Sequence, residues 1–182
     1  MVQKSPNDNH PKLGASIKVE PIRELKAIKR IKYILADNPR DLCLFTMGIN
    51  TAYRANELLS LTVGQVDHLV AGDRLDLKQT KNKKYRPVTM NAATISVIDA
   101  WLKEHPDLVP DAPLFRSQKK GTALEVSTLS KMVKKWCADV GLKGNYASHT
   151  LRKTWGYHQR VTYSNATAVS GGDKLVHGSG GI

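Results

Sequence analysis

Four positions in the 182-residue chain combine residue types suited to the chemistry of a phosphate ester: Arg54, Lys81, and the pair His149 and Arg152 at H-x-x-R spacing. Residues three apart on a helix share a face, so the imidazole of His149 and the guanidinium of Arg152 can meet one ligand. Two arginines can grip both non-bridging oxygens of a phosphodiester and stabilise the charge of a five-coordinate transition state without a metal. A lysine can then protonate the leaving oxygen. Each signal also has a plainer reading. His149 fits a simple helix start, Lys81 a turn lysine, and Arg54 a surface ion pair with Glu57.

The elements that must position these residues can be read from periodicity and punctuation. Ile22, Leu25, Ile28, Ile31 and Leu35 recur at three- and four-residue steps and predict an amphipathic helix with Lys26, Lys29, Arg30 and Lys32 outside it. Asn38 as N-cap and Pro39 at the first position announce a second helix carrying Leu42, Phe45 and Ile49. A short third helix runs through Asn56 to Leu59, and Thr62 with Gln65 has capping-box spacing. From Val66 the pattern turns to alternation, with Leu75 and Leu77 on one face and Asp76 and Lys78 on the other, preceded by the turn-prone Ala71-Gly72-Asp73. Lys81 to Lys84 forms a hairpin connection to Tyr85–Met90, where Pro87 argues for an edge strand. Three antiparallel strands are expected in all. Asn91 and Ser127 are expected to cap two further helices, bearing Ile95, Ile98 and Leu102, and then Leu129, Met132, Val133, Trp136 and Val140 before Gly141. A last helix begins at Ser148.

The fold class expected is therefore α+β, mainly α-helical with a small three-stranded antiparallel sheet. Residues 1–18 read as a flexible N-terminal tail, 19–163 as one domain, and 164–182 as an irregular Gly/Ser-rich tail.

Charge narrows the partner. Lys and Arg number 28 against 16 Asp and Glu, a formal net charge of +12 with a pI near 9.8, which favours a polyanion. Between Leu114 and Arg160, ten basic residues stand against Glu125 and Asp139 alone, a net +8 suited to a phosphate backbone. The bland alternative is the solvated face of an amphipathic helix, where Lys131, Lys134 and Lys135 would sit anyway. With 41% hydrophobic and 24% charged residues, the composition excludes wholesale disorder and a disulfide-stapled miniprotein. Cys43 and Cys137 lie in apolar helical patterns and read as buried thiols. No apolar run approaches the roughly 18 residues of a membrane span, and Met1 to Gly14 is polar, so a soluble cytoplasmic protein is expected.

The stretch Thr46 to Thr62, centred on Tyr53-Arg54-Ala55-Asn56-Glu57-Leu58-Leu59, resembles the first arginine box of the tyrosine recombinases, the phage integrase family. Lys81-Asn82-Lys83-Lys84-Tyr85-Arg86-Pro87-Val88 resembles the family's β-hairpin lysine element, and Ser148-His149-Thr150-Leu151-Arg152-Lys153-Thr154 its second box. Order and spacing agree, and the resemblance covers about Val19 to Val161. It implies a site-specific recombinase catalytic domain that cleaves and rejoins double-stranded DNA through a 3′-phosphotyrosyl intermediate, with no cofactor or metal. It further implies that Arg54 and Arg152 clamp the scissile phosphate and that Lys81, with Lys83 as its rival, is the general acid on the 5′-oxygen. His149 would support proton transfer and Glu57 would orient the first arginine. His177 is the candidate for the family's second histidine, and a homo-tetramer on DNA is the family's assembly.

The chain departs from the family pattern at its C-terminal end. His177 lacks the preceding glycine, and the nucleophilic tyrosine would fall past Ile182, whereas Tyr157 and Tyr163 come too soon after Arg152 and are expected to be packing residues. The family's usual N-terminal DNA-clamping domain is not expected either, since only about twenty residues precede the first helix. A catalytically inactive double-stranded DNA-binding module derived from a recombinase is accordingly the alternative. Two others are a metal-dependent nuclease using Asp76 with Asp67 or Asp73, and a basic RNA-binding protein, the latter without the aromatic-rich strand that stacks bases.

Overall fold

A computed structural model describes residues 18–78, 85–117 and 121–169. Six α-helices and one two-stranded sheet follow in the order α1 (Leu25–Ile34), α2 (Pro39–Asn50), α3 (Ala55–Leu59), β1 (Arg74–Lys78), β2 (Tyr85–Thr89), α4 (Ala92–Glu104), α5 (Val126–Asp139) and α6 (Ser148–Val169).

Helix α2 is the centre of the molecule. Asn38 accepts a hydrogen bond from the Asp41 amide and Pro39 occupies the first turn, as the sequence predicts. Every residue from Cys43 to Ile49 is buried, so α2 is apolar all round rather than striped. It packs against α1, α3, α4 and α6. Phe45 meets the Trp136 ring of α5 edge-on at 5.8 Å between centroids. Gly48 permits the closest approach. A Cβ added there would lie 2.5 Å from Leu151 Cδ1 and 3.0 Å from Leu151 Cβ, so the absence of a side chain at position 48 lets α6 settle onto α2.

Helix α1 starts three residues later than the apolar repeat suggests. Ile22 is buried but precedes the helix, while Leu25 is 55% exposed; Ala27, Ile28, Ile31 and Leu35 make the buried stripe. Helix α5 starts earlier than expected, with Glu125 as N-cap, and the Ser127 hydroxyl donates to the Glu125 carboxylate instead of capping. Asn91 caps α4 by accepting from Thr94 N at 2.8 Å.

The described sheet has two strands, not three. Strands β1 and β2 pair antiparallel with Asp76 opposite Pro87, and Leu75 and Leu77 point into the core. Among the described residues Pro87 has no partner strand on its other side, which is where a residue lacking an N–H is tolerated. The segment expected to begin a further strand folds locally instead. The local turn expected at Thr62 and Gln65 is present as a capping box around a 3-10 turn at Val63–Gln65, and beyond Val66 the Asp73 carboxylate accepts from Val70 N. No described helix is long and apolar enough to cross a membrane.

Candidate anion-binding cleft

Arg54 is delivered by the turn between α2 and α3. Thr51 ends α2 by donating its hydroxyl to the Met47 carbonyl. Ala52 then takes φ +54°, a left-handed conformation that costs a non-glycine residue about 1 kcal/mol or more. The turn is held because Ala52 is fully buried and the Tyr53 hydroxyl donates to the Leu75 carbonyl of β1 at 2.9 Å. Arg54 thus becomes the N-cap of α3. One oxygen of Glu57 accepts from Arg54 N and the other from Arg54 Nη1, both at 2.7 Å.

The ion pair that gives Arg54 its plainer reading is therefore present. Its geometry nevertheless goes beyond a surface pair, because Glu57 is only 5% exposed while the Arg54 side chain is 39% exposed. The carboxylate sits behind and fixes the backbone and one terminal nitrogen, leaving the guanidinium turned towards solvent. Such a pair positions a cation for a ligand on its open side.

His149 and Arg152 come from the first turns of α6. Thr150 and Leu151 between them are buried, at 0% and 2% exposure, and set the rotation of the helix. The start is fixed by Ala147 N donating to Thr150 Oγ1 and by a pair of bonds between Ser148 and Ser130 of α5. His149 is exposed and Arg152 half-buried.

Arg54, His149 and Arg152 line one open cleft of about 900 Å³ together with Pro21, Arg23, Lys153, Gly156, Tyr157 and Arg160. Thus three of the five predicted site residues are brought together across most of the domain's length. Lys81 and His177, and the rival Lys83, lie outside the described residues. Five lining residues are Arg or Lys, and among the described residues no carboxylate lines the cleft. The arrangement suits an anion with several oxygens, held by forked guanidinium donors with an imidazole within the same space.

By sequence alone Lys153 and Arg160 count as bulk charge and Tyr157 as a packing residue. A signal for all three is nonetheless present: 153, 156, 157 and 160 continue from 149 at helical steps along one face of α6. Tyr157 is half-buried and lines the cleft, and Tyr163 is 59% exposed, so neither is a core residue. Arg23 gives no local signal, because its place in the cleft depends on a pairing far along the chain.

Two of the three carboxylates considered for a metal are occupied locally: Asp67 contacts His68, and Asp73 holds its own turn. Among the described residues, no three His, Cys, Asp or Glu side chains form a group able to hold a metal ion. Cys43 and Cys137 are both free and buried. Burial pushes the Cys137 thiol up to about 12, and the Cys43 thiol up as well.

Comparison with known proteins bears on the family and the fold. The sequence profile of the phage integrase family matches residues 23–160. A protein of Bacillus subtilis (strain 168) described as a probable integrase/recombinase, YoeC, is 33% identical over 141 residues, covering 77% of this chain and 74% of that protein. The tyrosine recombinase XerC of Haemophilus ducreyi is 27% identical over 140 residues, 77% of this chain and 44% of that one. Among solved structures, the XerH site-specific recombinase bound to palindromic difH substrate in a post-cleavage complex superposes with a TM-score of 0.62 at 25% identity. That match covers 85% of this chain and 47% of XerH, so the present chain spans about half the length of the solved relative.

Proposed function

The chain belongs to the phage integrase family, and from that premise we propose that it acts on duplex DNA as a site-specific recombinase catalytic domain, cutting and rejoining strands through a 3′-phosphotyrosyl intermediate. The observation that carries the proposal is the gathering of Arg54, His149 and Arg152 in one cleft whose described lining is rich in cations and free of carboxylates.

In this reading the two arginines hold the non-bridging oxygens of the scissile phosphate. They stabilise the added negative charge as phosphorus becomes five-coordinate. A tyrosine hydroxyl, assigned to neither Tyr157 nor Tyr163, attacks phosphorus and gives up its proton with support from His149; the new bond is tyrosine oxygen to phosphorus, and the bond that breaks is phosphorus to the 5′-oxygen. Lys81 protonates that leaving oxygen. Rejoining is the reverse, with a 5′-hydroxyl as the attacking group. Glu57 positions Arg54 through the two bonds described above. His177 enters on the resemblance alone, as the candidate for the family's second histidine. Residues 19–163 form the catalytic unit, and the working assembly is a cytoplasmic homo-tetramer on DNA.

The test is incubation of the full chain with nicked duplexes carrying recombinase-type sites, scored for a covalent protein–DNA adduct on a denaturing gel and for binding across a salt series. A covalent adduct lost in Arg54→Ala and Arg152→Ala supports the full proposal. Salt-dependent duplex binding without an adduct supports an intact phosphate clamp that lacks its nucleophile. Absence of salt-dependent duplex binding overturns both.

A further inference from the structure

We infer that Arg23 is a third arginine of the DNA-phosphate clamp, contributed by the segment before α1, and that it grips a phosphate next to the one held by Arg54 and Arg152. The inference rests on the DNA-binding reading above and names an interaction which that reading does not contain.

The first support is position. Arg23 is exposed and lines the same cleft as Arg54, His149 and Arg152, although it precedes the first helix. The second is how firmly it is placed. Residues 18–24 form a strap across the start of α6. Ile22 N donates to the buried Thr154 Oγ1 at 2.8 Å, and the Ile22 carbonyl accepts from His158 Nε2 at 3.0 Å. Lys153 Nζ donates to the Val19 carbonyl at 2.7 Å, and Glu20 N to the Asn145 carbonyl at 2.8 Å. Ile22 itself is 1% exposed. The residue immediately before Arg23 is therefore locked on both its backbone groups, and the direction in which the arginine leaves the strap is fixed.

The third support is preorganisation of the head group. The Arg23 guanidinium lies 6.0 Å from the centroid of the Tyr157 ring, at the outer limit of a cation–π contact. Tyr157 is in turn braced by His158, ring to ring at 5.2 Å and 89°. A guanidinium resting on an aromatic face keeps its N–H edge available for phosphate oxygens while losing less freedom on binding. The fourth is space and charge. A cleft of about 900 Å³ exceeds what one phosphodiester fills, and duplex DNA presents phosphates in an unbroken row. Arg54 and Arg152 account for one of them; Arg23 and Tyr157 are the lining side chains that offer a second cation on a rigid platform.

The experiment compares wild type, Arg23→Ala, Arg23→Lys and Arg152→Ala of the full chain for binding to a duplex of about 30 base pairs at several salt concentrations. The slope of log affinity against log salt falls by about 0.9 for each phosphate that is no longer neutralised. Arg23→Ala is expected to reduce the slope by about 0.9 and to weaken binding several-fold at low salt. Arg23→Lys should keep the slope. Thermal melting of Arg23→Ala should match wild type, because the strap is held by its neighbours.

An unchanged slope in Arg23→Ala, beside a reduced one in Arg152→Ala, overturns the inference while leaving the proposed function standing. A slope reduced only together with a large fall in melting temperature also overturns it, as the residue would then be structural. If wild type shows no salt-dependent binding at all, it is the proposed function that fails.

Discussion

Replacing Glu57 by glutamine keeps the size of the side chain and removes one acceptor. In the native structure one carboxylate oxygen accepts from Arg54 N and the other from Arg54 Nη1, both at 2.7 Å. The amide of Glu57→Gln has one oxygen and one NH2. Whichever donor keeps the oxygen, the other faces a second donor in a site where residue 57 is 5% exposed. One charge-assisted bond disappears, worth roughly 1.5–3 kcal/mol. Because the Arg54 side chain is 39% exposed, screening places the expected loss in the lower part of that range, about 2 kcal/mol. For a chain of this length that corresponds to a fall in Tm of about 4–8 °C.

The contribution of the side-chain pair separates from that of the backbone cap in a double-mutant cycle with Arg54→Ala, which retains the Arg54 backbone N–H. A coupling of about 1–2 kcal/mol between Glu57→Gln and Arg54→Ala is expected. Duplex affinity should fall in Glu57→Gln by a similar factor to that in Arg54→Lys, since both leave a cation without its fixed orientation. Coupling below about 0.3 kcal/mol with a Tm within about 1 °C of wild type would refute the claim that this carboxylate holds the arginine in place.

Two further outcomes are expected. Gly48→Ala gains up to about 1 kcal/mol of helix propensity but drives a methyl against Leu151, an overpacking of about 1–3 kcal/mol; the net loss in Tm should shrink in the Gly48→Ala, Leu151→Ala double variant relative to the sum of the singles, and strict additivity in denaturant unfolding would contradict the close approach. The raised Cys137 thiol, up to about 12, makes stability fall as pH rises above about 8.5, because the unfolded chain then releases a proton that the folded chain retains, at about 1.4 kcal/mol per pH unit; urea midpoints from about pH 7 to about pH 10 should fall less steeply in Cys137→Ala than in wild type, and equal slopes would count against it.

Local chemistry makes much of this architecture legible. Asn38, Asn91 and the Thr62–Gln65 box announce their turns because capping involves neighbours three residues apart. The alternation of Leu75 and Leu77 marks β1 for a similar reason. What escapes is set by distant packing. Leu25 has helical spacing but is exposed, since Ala27 lies closer to the core-facing stripe. The strand expected from Val66 is absent from the described residues, although the turn at Ala71-Gly72-Asp73 is where its residues place it, with Val70 N donating to Asp73. At the site, Arg54, His149 and Arg152 are recognisable from their motifs, whereas Arg23 joins them through the strap's long-range bonds, among them that of Ile22 to Thr154 across 132 residues, which no window of sequence contains.

That same strap sets an order on the birth of the molecule. A chain emerging from the ribosome presents Arg23 and Arg54 early, but the surface that orients Arg23 is α6, the last described helix. At about 5–20 residues per second, the 132 residues between Ile22 and Thr154 take about 7–26 s to synthesise. Through that interval the first arginines exist without the wall that turns them into one cleft. The cleft is therefore complete only once α6 has been made, and a chain ended before α6 carries Arg23 and Arg54 without the wall that Arg152 and Tyr157 supply.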